Sequence, residues 1–112
     1  MDFHLEISRR PGAVVVAPVG DLDVYSAEPL REALTELTAE DTRDAVVIDL
    51  AGSDFIDSSA LGVLVGTMKK LAESERRLAI ASTKPHLVKI LRITRLTDVI
   101  PVGHTVDAVL EQ

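Results

Sequence analysis

The chain has no cysteine and no tryptophan, and aromatic residues make up only 3% of its 112 positions. Without cysteine there are no disulfides, no thiolate metal sites and no thiol nucleophile, which fits a reducing compartment. The three aromatics, Phe3, Tyr25 and Phe55, are scattered, so the stacking platform of a single-stranded nucleic-acid binder is missing. A basic block is also missing, and the net charge is −6. Phosphate neutralisation drives nucleic-acid affinity, so a nucleic-acid partner is disfavoured, and an anionic membrane surface for the same reason. The longest apolar runs, such as Ala13 to Ala17, fall far short of the roughly 20 residues of a membrane span. The opening Met1-Asp2-Phe3-His4 lacks the basic and apolar regions of a signal peptide. A cytoplasmic location is expected.

What the chain does have is aliphatic side chains and charge. Hydrophobic residues make up 46% and charged residues 27%, enough for a core and a solvated surface in one domain spanning residues 1–112. Phe3, Leu5 and Ile7 alternate with polar residues, the period of a half-buried strand. Arg10-Pro11-Gly12 is turn chemistry, and Ala13 to Ala17 reads as a second strand, antiparallel to the first. Ser26 is the expected N-cap of a first helix, with Leu30, Ala33, Leu34 and Leu37 on its inner face. Ala45 to Leu50 has the length and apolarity of a strand at the centre of a parallel sheet. After a loop from Ala51 to Asp57, Leu61, Leu64, Val65, Met68, Leu71 and Ala72 form the core stripe of a second helix. Leu78 to Ala81 is a fourth strand. Lys84-Pro85 starts a third helix with Leu87, Val88, Ile90 and Leu91 inward, Val99-Ile100 is a short last strand, and Thr105 caps a final helix. The order predicts an α/β domain with about four helices. Its four- to five-stranded, mostly parallel sheet carries one antiparallel N-terminal hairpin.

A second stripe on the second helix, Ser59, Gly62, Val63 and Gly66, is small and weakly polar. Two helical glycines cost about 1 kcal/mol each relative to alanine. Either they let the helix pack closely on the sheet, or they leave a flat surface for a partner. The sequence leaves both open.

Catalytic motifs find little support. His4, His86 and His104 show no metal-ligand spacing, and phosphate-loop, dinucleotide and nucleophile-elbow motifs are absent. No cofactor or metal is expected. An aspartyl-phosphate receiver has superficially matching parts in Asp21, Asp23, Asp57 and Lys84-Pro85. Its strict β-α order does not match a chain that starts with a hairpin. From physics alone, Asp57-Ser58-Ser59 is an N-cap and nothing more.

The segment Asp54-Phe55-Ile56-Asp57-Ser58-Ser59-Ala60-Leu61-Gly62-Val63-Leu64 resembles the signature of the STAS domain family, in particular the bacterial anti-sigma factor antagonists. Gly20-Asp21-Leu22-Asp23, Val46 to Leu50, and Ile90 to Thr94 resemble it at the same relative positions. The resemblance implies a non-enzymatic interaction module, a monomer or weak dimer. It implies that Ser58 is phosphorylated by an anti-sigma factor that is also a serine kinase, and restored by a PP2C-type phosphatase. The unphosphorylated form would bind the anti-sigma factor and release the sigma factor. Asp23, Asp57, Ser58, Ser59 and Gly62 are the implied partner-binding residues. A scaffold in a signalling assembly, or the cytoplasmic subunit of a lipid transporter, is the alternative role the family offers. Ala60 stands where many relatives have glycine, and the turn before the fourth strand lacks their usual glycines.

Overall fold

The computed structural model describes residues 2–112. The elements are β1 (His4–Arg10), β2 (Ala13–Val19), α1 (Val24–Thr38), β3 (Ala45–Asp49), α2 (Ser58–Ala72), β4 (Leu78–Ala81), α3 (Pro85–Ile93), β5 (Val102–Gly103) and α4 (Val106–Leu110). A short 3-10 turn, Leu96–Asp98, lies between α3 and β5. The five strands lie in the order β1-β2-β3-β4-β5. β1 and β2 are antiparallel, joined through Pro11 and Gly12, and Gly12 adopts φ +82°. The pairs β2–β3, β3–β4 and β4–β5 are parallel.

That strand order never reverses, so right-handed crossovers carry α1, α2 and α3 to the same face of the sheet. Val14 and Val16 of β2, Val46 and Ile48 of β3, and Leu78 and Ile80 of β4 meet Leu30, Leu34, Leu64, Leu71, Leu87 and Leu91 there. The opposite face has a smaller cluster, in which Val15, Val47, Ala79 and Ala81 are covered by Val109 of α4. β3 is central and buried from Ala45 to Ile48, as its unbroken apolar run predicts.

Three sequence expectations change, and one question left open is decided. The N-cap of α1 is Asp23, and Ser26 is instead the third helical residue, closing a capping box with it. Pro29 therefore sits inside the helix, and the carbonyl that loses its donor belongs to Tyr25, an exposed residue. The last strand is Val102–Gly103 and not Val99-Ile100. The Pro101 carbonyl accepts from Ile80 N–H at 2.9 Å, so the proline opens the strand at a position where no donor is required. On α2, Ala72 is exposed and Thr67 is buried in its place, its hydroxyl satisfied by the Val63 carbonyl at 2.8 Å. Finally, a Cβ added at Gly62 or Gly66 would meet no atom within 4 Å, so close packing is not what these glycines provide.

Candidate functional site

The carboxyl ends of β2 and β3 lead into two loops, 20–23 and 50–57, each ending at a helix N-terminus. A single parallel bridge, Leu22 to Ile56, zips the loops together. Leu22 N–H donates to the Phe55 carbonyl and Asp57 N–H to the Leu22 carbonyl, both at 2.9 Å. Leu22 and Ile56 are buried. The residue following each anchor is an aspartate, and each aspartate caps the helix that starts there: Asp23 for α1 and Asp57 for α2. The repeated aliphatic-then-Asp pattern, Leu22-Asp23 and Ile56-Asp57, is thus one structural device used twice, and it sets the two helix starts side by side.

At the second start, Asp57 Oδ1 accepts from the N–H groups of Ser59 at 2.9 Å and Ala60 at 3.2 Å. Ser58 is the first helical residue, exposed, and its hydroxyl makes no hydrogen bond among the described residues. A group attached to that hydroxyl stands in solvent at a helix N-terminus, where unpaired backbone N–H groups favour negative charge. At the first start, hydrogen bonds from Ser26 N–H and Tyr25 N–H hold the Asp23 carboxyl below the usual carboxylate range. Asp23, Asp57, Ser58 and Ser59 are therefore brought to one surface. Gly62 lies one turn further along α2.

Gly62 belongs to an open groove of about 440 Å³ between α1 and α2. Ser59, Gly62 and Gly66 form one wall, with Arg31, Thr35 and Thr38 opposite. The groove contains no carboxylate. Of the two readings of the glycine stripe, the open surface is the one the geometry supports.

Local sequence did not disclose how loop 50–57 is braced. Gly52 lies against β2: its carbonyl accepts from Gly20 N–H at 3.0 Å, and an added Cβ would come within 2.9 Å of the Pro18 carbonyl oxygen. From the other side, Lys84 at the start of α3 donates to the Ser53 carbonyl at 2.6 Å and to the Asp54 carboxylate at 2.7 Å. The hydrogen bond from Lys84 holds the Asp54 carboxyl below its ordinary value. His86 Nε2 lies 2.7 Å from the Asp54 carbonyl, which only accepts, so the ring nitrogen donates there. Lys84 thus has a role beyond starting a helix. An apolar rim was missed as well: Tyr25 is 85% exposed and Phe55 47%. Tyr25, two residues after Asp23, and Phe55, directly after Asp54, were the available signal.

Among the described residues no group of histidine and carboxylate side chains is arranged to hold a metal ion. No described helix is long and apolar enough to cross a membrane. What remains is a rigid acidic ledge with an exposed hydroxyl, an apolar rim and an adjoining groove, the surface of an interaction module in an α/β frame.

That frame is the STAS domain, whose family model matches residues 4–109; the chain belongs to this family. Among characterised relatives it is similar to the anti-sigma-B factor antagonist of Staphylococcus aureus (strain NCTC 8325 / PS 47). The two are 31% identical over 103 residues, covering 92% of this chain and 94% of the relative. The crystal structure of an anti-sigma factor antagonist from Mycobacterium paratuberculosis superposes with a TM-score of 0.89 at 26% identity, covering 98% of this chain and 92% of that one. The Bacillus cell fate determinant SpoIIAA in its phosphorylated form shares the fold, with a TM-score of 0.71 at 22% identity and coverage of 98% and 97%.

Proposed function

We propose that this chain is an anti-sigma factor antagonist, a cytoplasmic protein that acts by binding and is switched by phosphorylation of Ser58. Unphosphorylated, it binds an anti-sigma factor through Asp23, Asp57, Ser58, Ser59 and Gly62 and so releases the sigma factor. The anti-sigma factor is also the serine kinase that modifies Ser58, and a PP2C-type phosphatase reverses the modification. Neither nucleic acid nor membrane is a partner. The antagonist relatives support the general role, since one is 31% identical over nearly its full length. The observation that carries the switch is the exposed, unbonded Ser58 hydroxyl beside the Asp57 cap, next in sequence to Ser59, which lines the open groove.

The physical consequence of phosphorylation follows from that position. A phosphoserine adds about −1.5 to −2 charges beside Asp57, in a chain already at −6. The helix N-terminus offsets this by roughly 0.3–1 kcal/mol at an exposed position, so the fold survives. In the complex, the dianion replaces a neutral hydroxyl at the partner's surface, and an unpaired desolvated charge costs several kcal/mol. Binding is lost and structure is kept. Incubation with the cognate kinase and ATP, followed by mass spectrometry, tests the assignment. An acid-stable phosphoester at Ser58, abolished in Ser58→Ala, is the expected result, and phosphate on any other residue of the wild-type chain contradicts it.

A further inference from the structure

The sheet edge opposite Ser58, where the parallel strands begin, carries an unexplained cluster of positive charge. A depression of about 490 Å³ lies there between the hairpin turn at Pro11-Gly12, the start of β3 at Ala45 and the residues preceding β4. Arg43, Arg76 and Arg77 line it, and Glu75 is the only carboxylate among its walls. This is the reverse of the chain's overall balance, in which 18 acidic residues outnumber 12 basic ones.

Among the described residues, neither Arg76 nor Arg77 touches an acidic side chain. Arg76 is only 4% exposed. Its Nε donates to the Asp44 carbonyl at 2.8 Å and its Nη1 to the Leu37 carbonyl at 3.0 Å, while its buried Nη2 has no partner. Arg77 donates to the Leu110 carbonyl at 2.9 Å and the Gln112 carbonyl at 3.3 Å. Carbonyl groups fix both guanidiniums, and Glu40, which pairs directly with Arg9, feels the charge of Arg76 without forming an ion pair with it. Arg43 reaches Glu75 at 3.2 Å, with side chains 78% and 77% exposed, a pair of the weak, displaceable kind. Glu75 itself sits at φ +57°, a left-handed conformation that favours glycine, in the turn that lacks glycine.

We infer that this depression binds a tetrahedral oxyanion, a phosphate group either free or on a nucleotide. Arg76 and Arg77 provide a fixed cationic floor, and Arg43 is the mobile arm that exchanges Glu75 for the ligand. Guanidinium groups match phosphate oxygens in geometry as well as charge. The inference does not depend on the Ser58 switch.

Amide NMR titrations of the full chain with inorganic phosphate and, separately, ATP, at constant ionic strength and with acetate as the control anion, test it. Saturable shifts at Gly12, Ala45, Arg76 and Arg77 are expected, with the Ser58 loop unmoved and acetate inert. Saturation by phosphate identifies the free ion as sufficient, whereas saturation by ATP alone identifies the nucleotide tail as the source. Arg43→Ala is expected to weaken binding about tenfold, the value of one charge-assisted contact, and Glu75→Gln to tighten it severalfold. Both positions are exposed, so folding is not at stake. Absence of saturable shifts with either probe, or affinities indifferent to both substitutions, overturns the inference.

Discussion

Replacing Gly62 by alanine separates stability from recognition. The residue lies inside α2, five positions from its N-cap, and a Cβ there meets nothing within 4 Å. No steric penalty opposes the helical preference of alanine, which is worth about 1 kcal/mol over glycine in a helix interior. Gly62→Ala should therefore raise the unfolding free energy by about 1 kcal/mol, or roughly 4–5 °C in melting temperature for a domain of this size. Gly62 and Gly66 together should give roughly twice that. The same methyl group projects into the groove beside Ser59, so affinity for the anti-sigma factor should fall by about tenfold. Urea titration with unchanged m-value reads the first effect, and isothermal titration calorimetry reads the second. Destabilisation by Gly62→Ala would refute the open-groove geometry. A stabilised variant with undiminished affinity would refute the groove as partner surface.

Other perturbations follow from the bracing of the site. Gly52→Ala drives a Cβ to 2.9 Å from the Pro18 carbonyl oxygen, and the backbone must shift at a cost of about 1–3 kcal/mol, visible as a lowered urea midpoint. Arg76→Met strips donors from the Asp44 and Leu37 carbonyls and should cost about 3 kcal/mol in the same assay. Asp23 and Asp54 are both held below their ordinary values, by Ser26 N–H and by Lys84. Their charged forms favour the fold, so that contribution is fully present above about pH 4 and is lost as pH falls through the lowered folded-state values. Asp54→Asn should flatten the acid limb of stability against pH, and an unchanged limb would show that the Lys84 contact contributes nothing in solution.

The sequence disclosed what local chemistry decides and missed what only distant contacts decide. The unbroken apolar run of β3 and the Asp57 cap of α2 are local signals, and each appears in the structure; the alternation in β1 marks a strand, but its expected half-burial stops at Leu5, since Ile7 is 47% exposed. The start of α1 was misjudged because Asp23 and Ser26 are both good caps and Pro29 favoured the later one. The choice is made by the Leu22–Ile56 bridge, a contact across more than thirty residues that fixes the chain immediately before Asp23. Val99-Ile100 was β-branched enough to suggest a strand, but the edge of β4 is met by residues from Pro101 onward. The glycine stripe was ambiguous because close packing and open surface call for the same residue. Lys84 and Asp54 carry no mutual signal in the chain, since their pairing depends on α3 meeting a loop thirty positions earlier.

The central claim is that Ser58 is a contact residue whose phosphorylation removes binding and leaves the fold intact. The most direct measurement is calorimetric titration of the cognate anti-sigma factor with the unmodified protein and with protein phosphorylated stoichiometrically at Ser58, with circular dichroism melts of both. The account predicts a loss of affinity of at least about a hundredfold, equivalent to roughly 3 kcal/mol, with melting temperatures within a few degrees of each other. Equal affinity of the two forms, or loss of binding accompanied by unfolding, would contradict it.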